Sequence, residues 1–490
     1  MTDFTAYSAT THPVVRLEDD YNNILDHGLE KGFSYIIRKN GANYEAINGA
    51  TGKIDYTSAG ATTTLQNCVN VLKGSLVTAT RQRTNGIIKI MDDLIVTGSL
   101  DFTDIQGTTF EGFSREDGVV IHIQSNADVV FDFTSSRAIQ FKNIEFEVDA
   151  GYTPKVVFLM ARDSSGDSVG DFAFSHVQFN DQGGVQTAFI YNYGSELNLW
   201  YNCVFSCKGR AVVITDSNAS SVTSEYTTIA IGTKSTSMNT FTGMTEFNCG
   251  NLITDEAILV YKGVSATLID NCYAGGGTKY FIGFDLTGGS VYKTTVTNCH
   301  FEMLGLKATS DGNPSYLNSL SFTNNQILPV VGNFIDFSEA NIFLRDSTIN
   351  SLYNLGAADV DLAFYMIDQS DLNLRCDPYR FKITVSQYIR NSTLIIYNTA
   401  YVTTGGFVAV EKKYYGLITT STGLATFTSG NTVATAAHGL SGTPTIVTIG
   451  AKYPEVTDAY WSADATHITF TIGSGPAGAR DLAWYAEYKP

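Results

Sequence analysis

The chain has 490 residues, with 31 Lys+Arg against 48 Asp+Glu for a formal charge of −17, and is 43% apolar and only 16% charged. At about 150 residues per domain that length holds three ordinary domains or one long solenoid with terminal additions, and the composition is far from that of a disordered chain. Without clustered Lys and Arg, nucleic acid is excluded as a partner, and without an apolar run of about 18 residues so is a membrane-inserted helix; glycans, proteins and divalent cations remain.

Residues 1–33 lack a basic n-region and an apolar h-region, so no Sec-type signal peptide is expected. Leu17, Tyr21, Ile24 and Gly28 recur at 4-3-4 spacing, which reads as a short attachment or capping segment. Residues 34–56 alternate and turn at Asn40-Gly41, a hairpin signal. Leu65, Cys68, Val69 and Leu72 fall at i, i+3, i+4 and i+7 and predict a helix within 61–75. Followed by a strand at 86–90, that helix suits the cap a solenoid needs over its first open coil; hairpin and cap together span 34–85.

Between 86 and 400 two signatures recur, most clearly after 140. The first is a polar anchor, a small residue, and usually Phe or Ile two residues on: Asn143-Ile144-Glu145-Phe146, His176-Val177-Gln178-Phe179, Asn202-Cys203-Val204-Phe205, Asn271-Cys272-Tyr273, Asn298-Cys299-His300-Phe301, Asn324-Asn325-Gln326-Ile327 and Asp346-Ser347-Thr348-Ile349. The second starts with a serine several residues earlier, at Ser195, Ser265, Ser338, Ser370 and Ser392, with weaker copies at Ser168, Ser290 and Ser315. Most of these serines lie 22 to 27 residues apart with no amphipathic helix between them. That period predicts a right-handed parallel β-helix.

Coils stacked about 4.8 Å apart bring equivalent residues into ladders. Asn tolerates left-handed backbone angles, so it suits a bend between strands, and stacked amides hydrogen-bond along the axis. Cys203, Cys272 and Cys299 share a slot with Ile144 and Val177 and read as reduced core thiols. Residues 401–412 read as a joint. From 413 to 490 short alternating strands are punctuated by turns such as Ala437-His438-Gly439-Leu440 and Thr443-Pro444-Thr445.

The run from Tyr35 to Gly41, continuing through Ile54-Asp55-Tyr56, the helix and the strand at 86–90, resembles the opening of pectate-lyase-like β-helix proteins, most of all those of viral tailspikes. The resemblance covers residues 34–400. Residues 413–490 are similar to small β-sandwich modules appended to viral β-helix proteins, which trimerise or bind glycans. It implies a trimeric virion or cell-surface protein, joined to tail components through residues 1–33, that binds a polysaccharide and depolymerises it as a lyase or glycoside hydrolase. The alternative is a non-catalytic structural or adhesive β-helix; a free lyase or hydrolase is a third reading.

No P-loop, H-E-x-x-H, G-x-S-x-G or EF-hand loop is present, so candidate residues come from the ladders. Strand ends before the Ser signature carry Tyr191-Asn192, Tyr261-Lys262, Phe284-Asp285, Ile335-Asp336, Ile367-Asp368 and Ile389-Arg390, which stacking would align along one rim. Asp336 and Asp368 then fall on neighbouring coils, with Arg390 one coil further. Two carboxylates held close cannot both ionise easily and form an acid/base pair; a glycosidase needs its two at about 5–9.5 Å. A lyase needs a base and a cation against a uronate carboxyl, for which Lys262 beside Asp285, with Tyr261, is the candidate set. The same charges also read as mutually compensating surface groups. No cofactor is required, and Ca2+ bridging ladder carboxylates is the metal alternative.

Tyr191, Tyr193 and Tyr261 are candidates for stacking on sugar rings, against ordinary packing. His176 and His300 read as structural and His438 as part of a turn. Strands at 187–191, 211–214, 257–261 and 280–284 are apolar on both faces, so their outer face is expected to be bare in a monomer and covered in a homotrimer.

Overall fold

The structure is a computed structural model that describes residues 34–74, 86–113, 118–161, 169–215, 237–250, 252–287, 289–356, 358–375, 381–387, 389–397, 401–404, 408–415, 420–440 and 442–488. The segment expected at 1–33 lies outside these residues, as does Cys376.

Strands such as Gly86–Ile90, Val119–Ile123 and Ile144–Val148 alternate buried and outward residues, the period of two that one buried face demands. Each pairs in parallel with its counterpart one coil away. Phe110, Phe141, Phe174, Trp200 and Phe241 therefore meet in register, and their rings stack at 5.0, 5.1, 5.8 and 4.3 Å between centroids. Phe146, Phe179, Phe205 and Phe247 form a second inner stack. Three strands per coil make three faces around one core. The first two belong to a 28-stranded sheet and the third is a 12-stranded sheet. The fold is the expected right-handed parallel β-helix.

The bend between the first and second faces carries the polar anchors. Asn143, His176, Asn202, Asn271, Asn298 and Asn324 have φ between 51° and 57°, the left-handed region that Asn accepts at low cost. Their side chains bond along the axis: Asn324 Nδ2 donates to Asn298 Oδ1 (2.5 Å), and Asn202 Nδ2 meets His176 Nε2 at 3.2 Å. The six described cysteines are buried and free, and burial pushes the thiols of Cys203 and Cys249 up to about 12.

Two repeat assignments need correction. Thr348 pairs with Ser321, and Ser321 with Thr295, so Asp346-Ser347 is not a further copy of Asn298-Cys299. It belongs to an earlier left-handed bend that also holds Leu197, Ala266, Lys293, Ser319 and Gln369. Ser370 and Ser392 sit just inside that bend: Ser347 N–H donates to Ser370 Oγ (3.2 Å) and Ser370 N–H to Ser392 Oγ (3.1 Å). They continue the buried ladder of Asn198, Asn239 and Thr267, whereas Ser265 stands two residues before Thr267. Small polar residues suit both the bend and the slot after it, which is why the two looked alike.

The first coil is capped as expected. Tyr35–Asn40 and Asn43–Asn48 form an antiparallel hairpin, extended by Ile54–Ser58, and Tyr35–Ile37 pairs in parallel with Ile88–Ile90. Helix Ala61–Gly74 buries Leu65, Cys68, Val69 and Leu72 against the core. Its Gln66 exchanges two 2.8 Å hydrogen bonds with the backbone of Asp101, which satisfies the open edge of the third face. At the other end, Val408–Tyr415 pairs with Ile389–Tyr397, so the coil runs through the stretch expected as a joint. Beyond it, two three-stranded antiparallel sheets share a core that includes Phe427, Phe470, Leu482 and Trp484. His438 sits in a turn there, its Nδ1 accepting from Leu440 N–H and its Nε2 facing Asp464 O.

Candidate functional site

The six strand ends do not share one rim. Asp336 lies on the third face, where its ladder neighbours are Lys307 and Ala363. Asp368 lies on the first face between Arg345 and Arg390. The expected Asp336–Asp368 pair is therefore not assembled. Only a single residue separates the strands Val360–Phe364 and Met366–Asp368, so this coil turns its corner earlier than the Ser spacing suggested. Arg345 and Arg390 are the backbone ladder neighbours of Asp368, and the Arg345 side chain meets Gln369 and Asp346. Asp336 accepts from Ser338 Oγ (2.5 Å) and from Asn333 Nδ2 (3.4 Å). Burial, followed by the Asp336 charge and its hydrogen bond, raises the Tyr280 phenol.

Lys262 and Asp285 do meet at a corner: Lys262 N–H donates to Asp285 O at 2.9 Å, and Tyr261 pairs with Asp285. Asp285 Oδ1 accepts from Thr287 N–H (2.9 Å), and a Cβ on Gly289 would fall 2.9 Å from Lys262 Cδ. Tyr191 and Tyr193 are 2% and 4% exposed and lie in an apolar cluster on the outer side of the third face with Leu159, Val213 and Leu259, Tyr261 packing at its margin. Neither ring of the first two offers a face to a sugar. That outer row is buried within the single chain, so it does not supply the bare surface on which a homotrimer was expected.

A different group of residues converges on the outer side of the second face. Glu246, Tyr273, His300 and Gln326 occupy one ladder, and Tyr353 follows. The Tyr273 and His300 rings stack at 5.6 Å and 7°. Tyr273 Oη donates to Glu302 Oε2 at 2.7 Å, and His300 Nε2 lies 3.2 Å from Glu302 Oε1. Gly275 makes this possible, because a Cβ there would fall 2.4 Å from Tyr273 Oη. The hydrogen bond to Glu302, then desolvation and the charges of Glu302 and Glu246, push the phenol up to about 12. The same bond, with that from His300, holds Glu302 below its ordinary value. The result is a fixed row of ring edges and acceptor oxygens, open to solvent, with Glu302 kept ionised.

His300 is thus an outward ladder residue and not a core histidine. The signal for this site was present: Tyr273 and His300 directly follow the buried Cys272 and Cys299, so alternation turns both outward onto adjacent coils.

No family model matches this sequence, and no curated protein does. Among solved structures, the chain is similar to a mutant tailspike protein of E. coli bacteriophage HK620 in complex with pentasaccharide, at 10% identity and TM-score 0.45, over 88% of this chain and 90% of that one. A second HK620 tailspike mutant, in complex with hexasaccharide, matches at 10% identity and TM-score 0.45 over 96% and 100%. The Dettilon tailspike protein matches at 10% identity and TM-score 0.40 over 87% and 91%.

Proposed function

We propose that this chain is a tailspike-like surface protein that binds a polysaccharide along the second face of its β-helix, over Glu246, Tyr273, His300 and Glu302. The braced Tyr273–His300 stack carries the reading. A glycan offers hydroxyl donors at regular intervals, and this ladder offers carboxylate acceptors, an amide at Gln326 and aromatic edges at the spacing of the coils. Side chains already held by one another lose little freedom when a ligand arrives. Binding, and not cleavage, is the activity this supports: Asp336 and Asp368 lie on different faces, and Glu302 is held as a base-like carboxylate, not as an acid. Location on a virion or cell surface, with residues 1–33 joined to tail components, belongs to the same proposal.

A panel of surface polysaccharides, read by calorimetry, tests it. One glycan should bind, with affinity about tenfold weaker in Tyr273→Phe and Glu302→Gln, the loss of one charge-assisted hydrogen bond. Unchanged affinity in both variants would overturn the assignment, and new reducing ends or ultraviolet-absorbing products would show cleavage instead. For self-association we place the interface on the first face, where Leu199 and Tyr201 stand exposed on one strand, Leu268 two coils further on and Tyr292 on the coil after that. Light scattering should report a trimer that Leu199→Lys with Leu268→Lys reduces to a monomer; a monomeric wild type refutes this.

A further inference from the structure

We propose that His122, Glu147 and Asp149 form a binding site for a divalent transition-metal cation, near the N-terminal end of the coil and separate from the glycan row. His122 and Glu147 are ladder partners on adjacent coils, and Asp149 stands two residues beyond Glu147 on the same outer side. One donor atom from each lies within 4.8 Å of the others. His122 Nδ1 is 3.0 Å from Asp149 Oδ1 and 3.7 Å from Glu147 Oε1. Donors around a tetrahedral ion at 2.0–2.2 Å are about 3.4 Å apart, so these separations bracket what a bound ion would need with a small inward adjustment.

Groups outside the trio aim its donors. Gln124 Nε2 holds Asp149 Oδ2 (2.7 Å), and Asn180 Nδ2 holds Glu147 Oε2 (3.0 Å) together with Glu145 Oε1 (3.1 Å). Each carboxylate is thereby tied by one oxygen and turns the other toward the imidazole, the arrangement in which outer partners orient metal ligands. Gln182 in turn holds Asn180.

Charge points the same way. Three carboxylates, Glu145, Glu147 and Asp149, crowd this patch, and the His122 imidazole lies within 4.0 Å of two of them. A dication supplies the missing positive charge. One imidazole nitrogen with two carboxylate oxygens suits Zn2+ or a similar first-row ion better than Ca2+ or Mg2+, which take all-oxygen sets. The part-exposed position leaves the remaining coordination sites to water, and the ion would clip two coils together.

The test is calorimetry of the full chain with Zn2+, and with Ca2+ and Mg2+ for comparison, beside a thermal melt. The wild type should bind one Zn2+ that the other two ions do not displace, and its melting temperature should rise on loading. His122→Ala and Asp149→Asn should weaken binding at least tenfold and abolish the rise. Gln124→Ala, which touches no ion, should weaken it about tenfold. Asp149→Asn keeps the side chain's shape, so its fold controls for His122→Ala. Zinc binding of equal stoichiometry and affinity in wild type and both ligand variants, no zinc binding by the wild type, or tighter binding of Ca2+ would overturn the site.

Discussion

Gly275→Ala separates the glycan row from the fold that carries it. A Cβ at this position would lie 2.4 Å from Tyr273 Oη and 2.6 Å from Cε1 and Cζ, where ordinary contact begins at 3.4 Å. Gly275 has ordinary strand geometry, so alanine accepts the backbone, and the phenol must retreat by about 1 Å. That breaks the 2.7 Å bond to Glu302. A hydrogen bond to a charged group contributes about 1.5–3 kcal/mol; with Glu302 39% exposed, about 1 kcal/mol is the working figure. The alanine recovers about 0.4–1 kcal/mol through the unfolded chain. Stability should therefore change by less than about 1 kcal/mol in urea denaturation. Glycan affinity measured on the same sample should fall about tenfold, as for Tyr273→Phe. Wild-type affinity, or a loss of several kcal/mol of stability, refutes the brace.

Phe158 is buried and touches Phe131, Phe141 and Phe146 at 5.0, 5.5 and 4.8 Å. Phe158→Ala should cost about 3–5 kcal/mol in denaturant, and a cost under about 1.5 kcal/mol would contradict the aromatic core. At φ 57°, Asn324→Ala should cost about 1–2 kcal/mol while Asn324→Gly costs clearly less; equal costs would show that the left-handed bend does not matter. Glu302 is held below its ordinary value of 4.5. Its contribution is complete above that value and is lost as pH falls through the lowered one. Glycan binding should therefore stay level down to pH 4.5 and decline only below it, whereas a decline beginning near neutrality would contradict an ionised Glu302.

The coil was legible because one of its bends is built mostly of Asn, which accepts φ near +55° at low cost and has a side chain able to bond its neighbour along the axis. The capping helix was legible from the spacing of Leu65, Cys68, Val69 and Leu72. The other left-handed bend was not, because Leu197, Ala266, Lys293 and Gln369 share no chemistry; register holds them there. That gap shifted Asp346, Ser370 and Asp368 onto the wrong ladder and built an acid/base pair from residues on two faces. Tyr191 and Tyr193 stand as candidate rings only beside the ordinary packing that the structure shows, because a strand apolar on both sides does not say what covers its outer side. Tyr273 and His300 could have been found, since each follows a core cysteine, but their meeting with Glu302 depends on Gly275, whose lack of a side chain has no pattern of its own.

The most direct measurement is an experimental structure of the full chain with an oligosaccharide of the glycan it binds. The sugar should lie on the second face, within hydrogen-bond distance of Glu302 or Glu246 and against the Tyr273–His300 pair. Sugar bound instead over Asp336 on the third face, or on the two small sheets at 420–488, would contradict it.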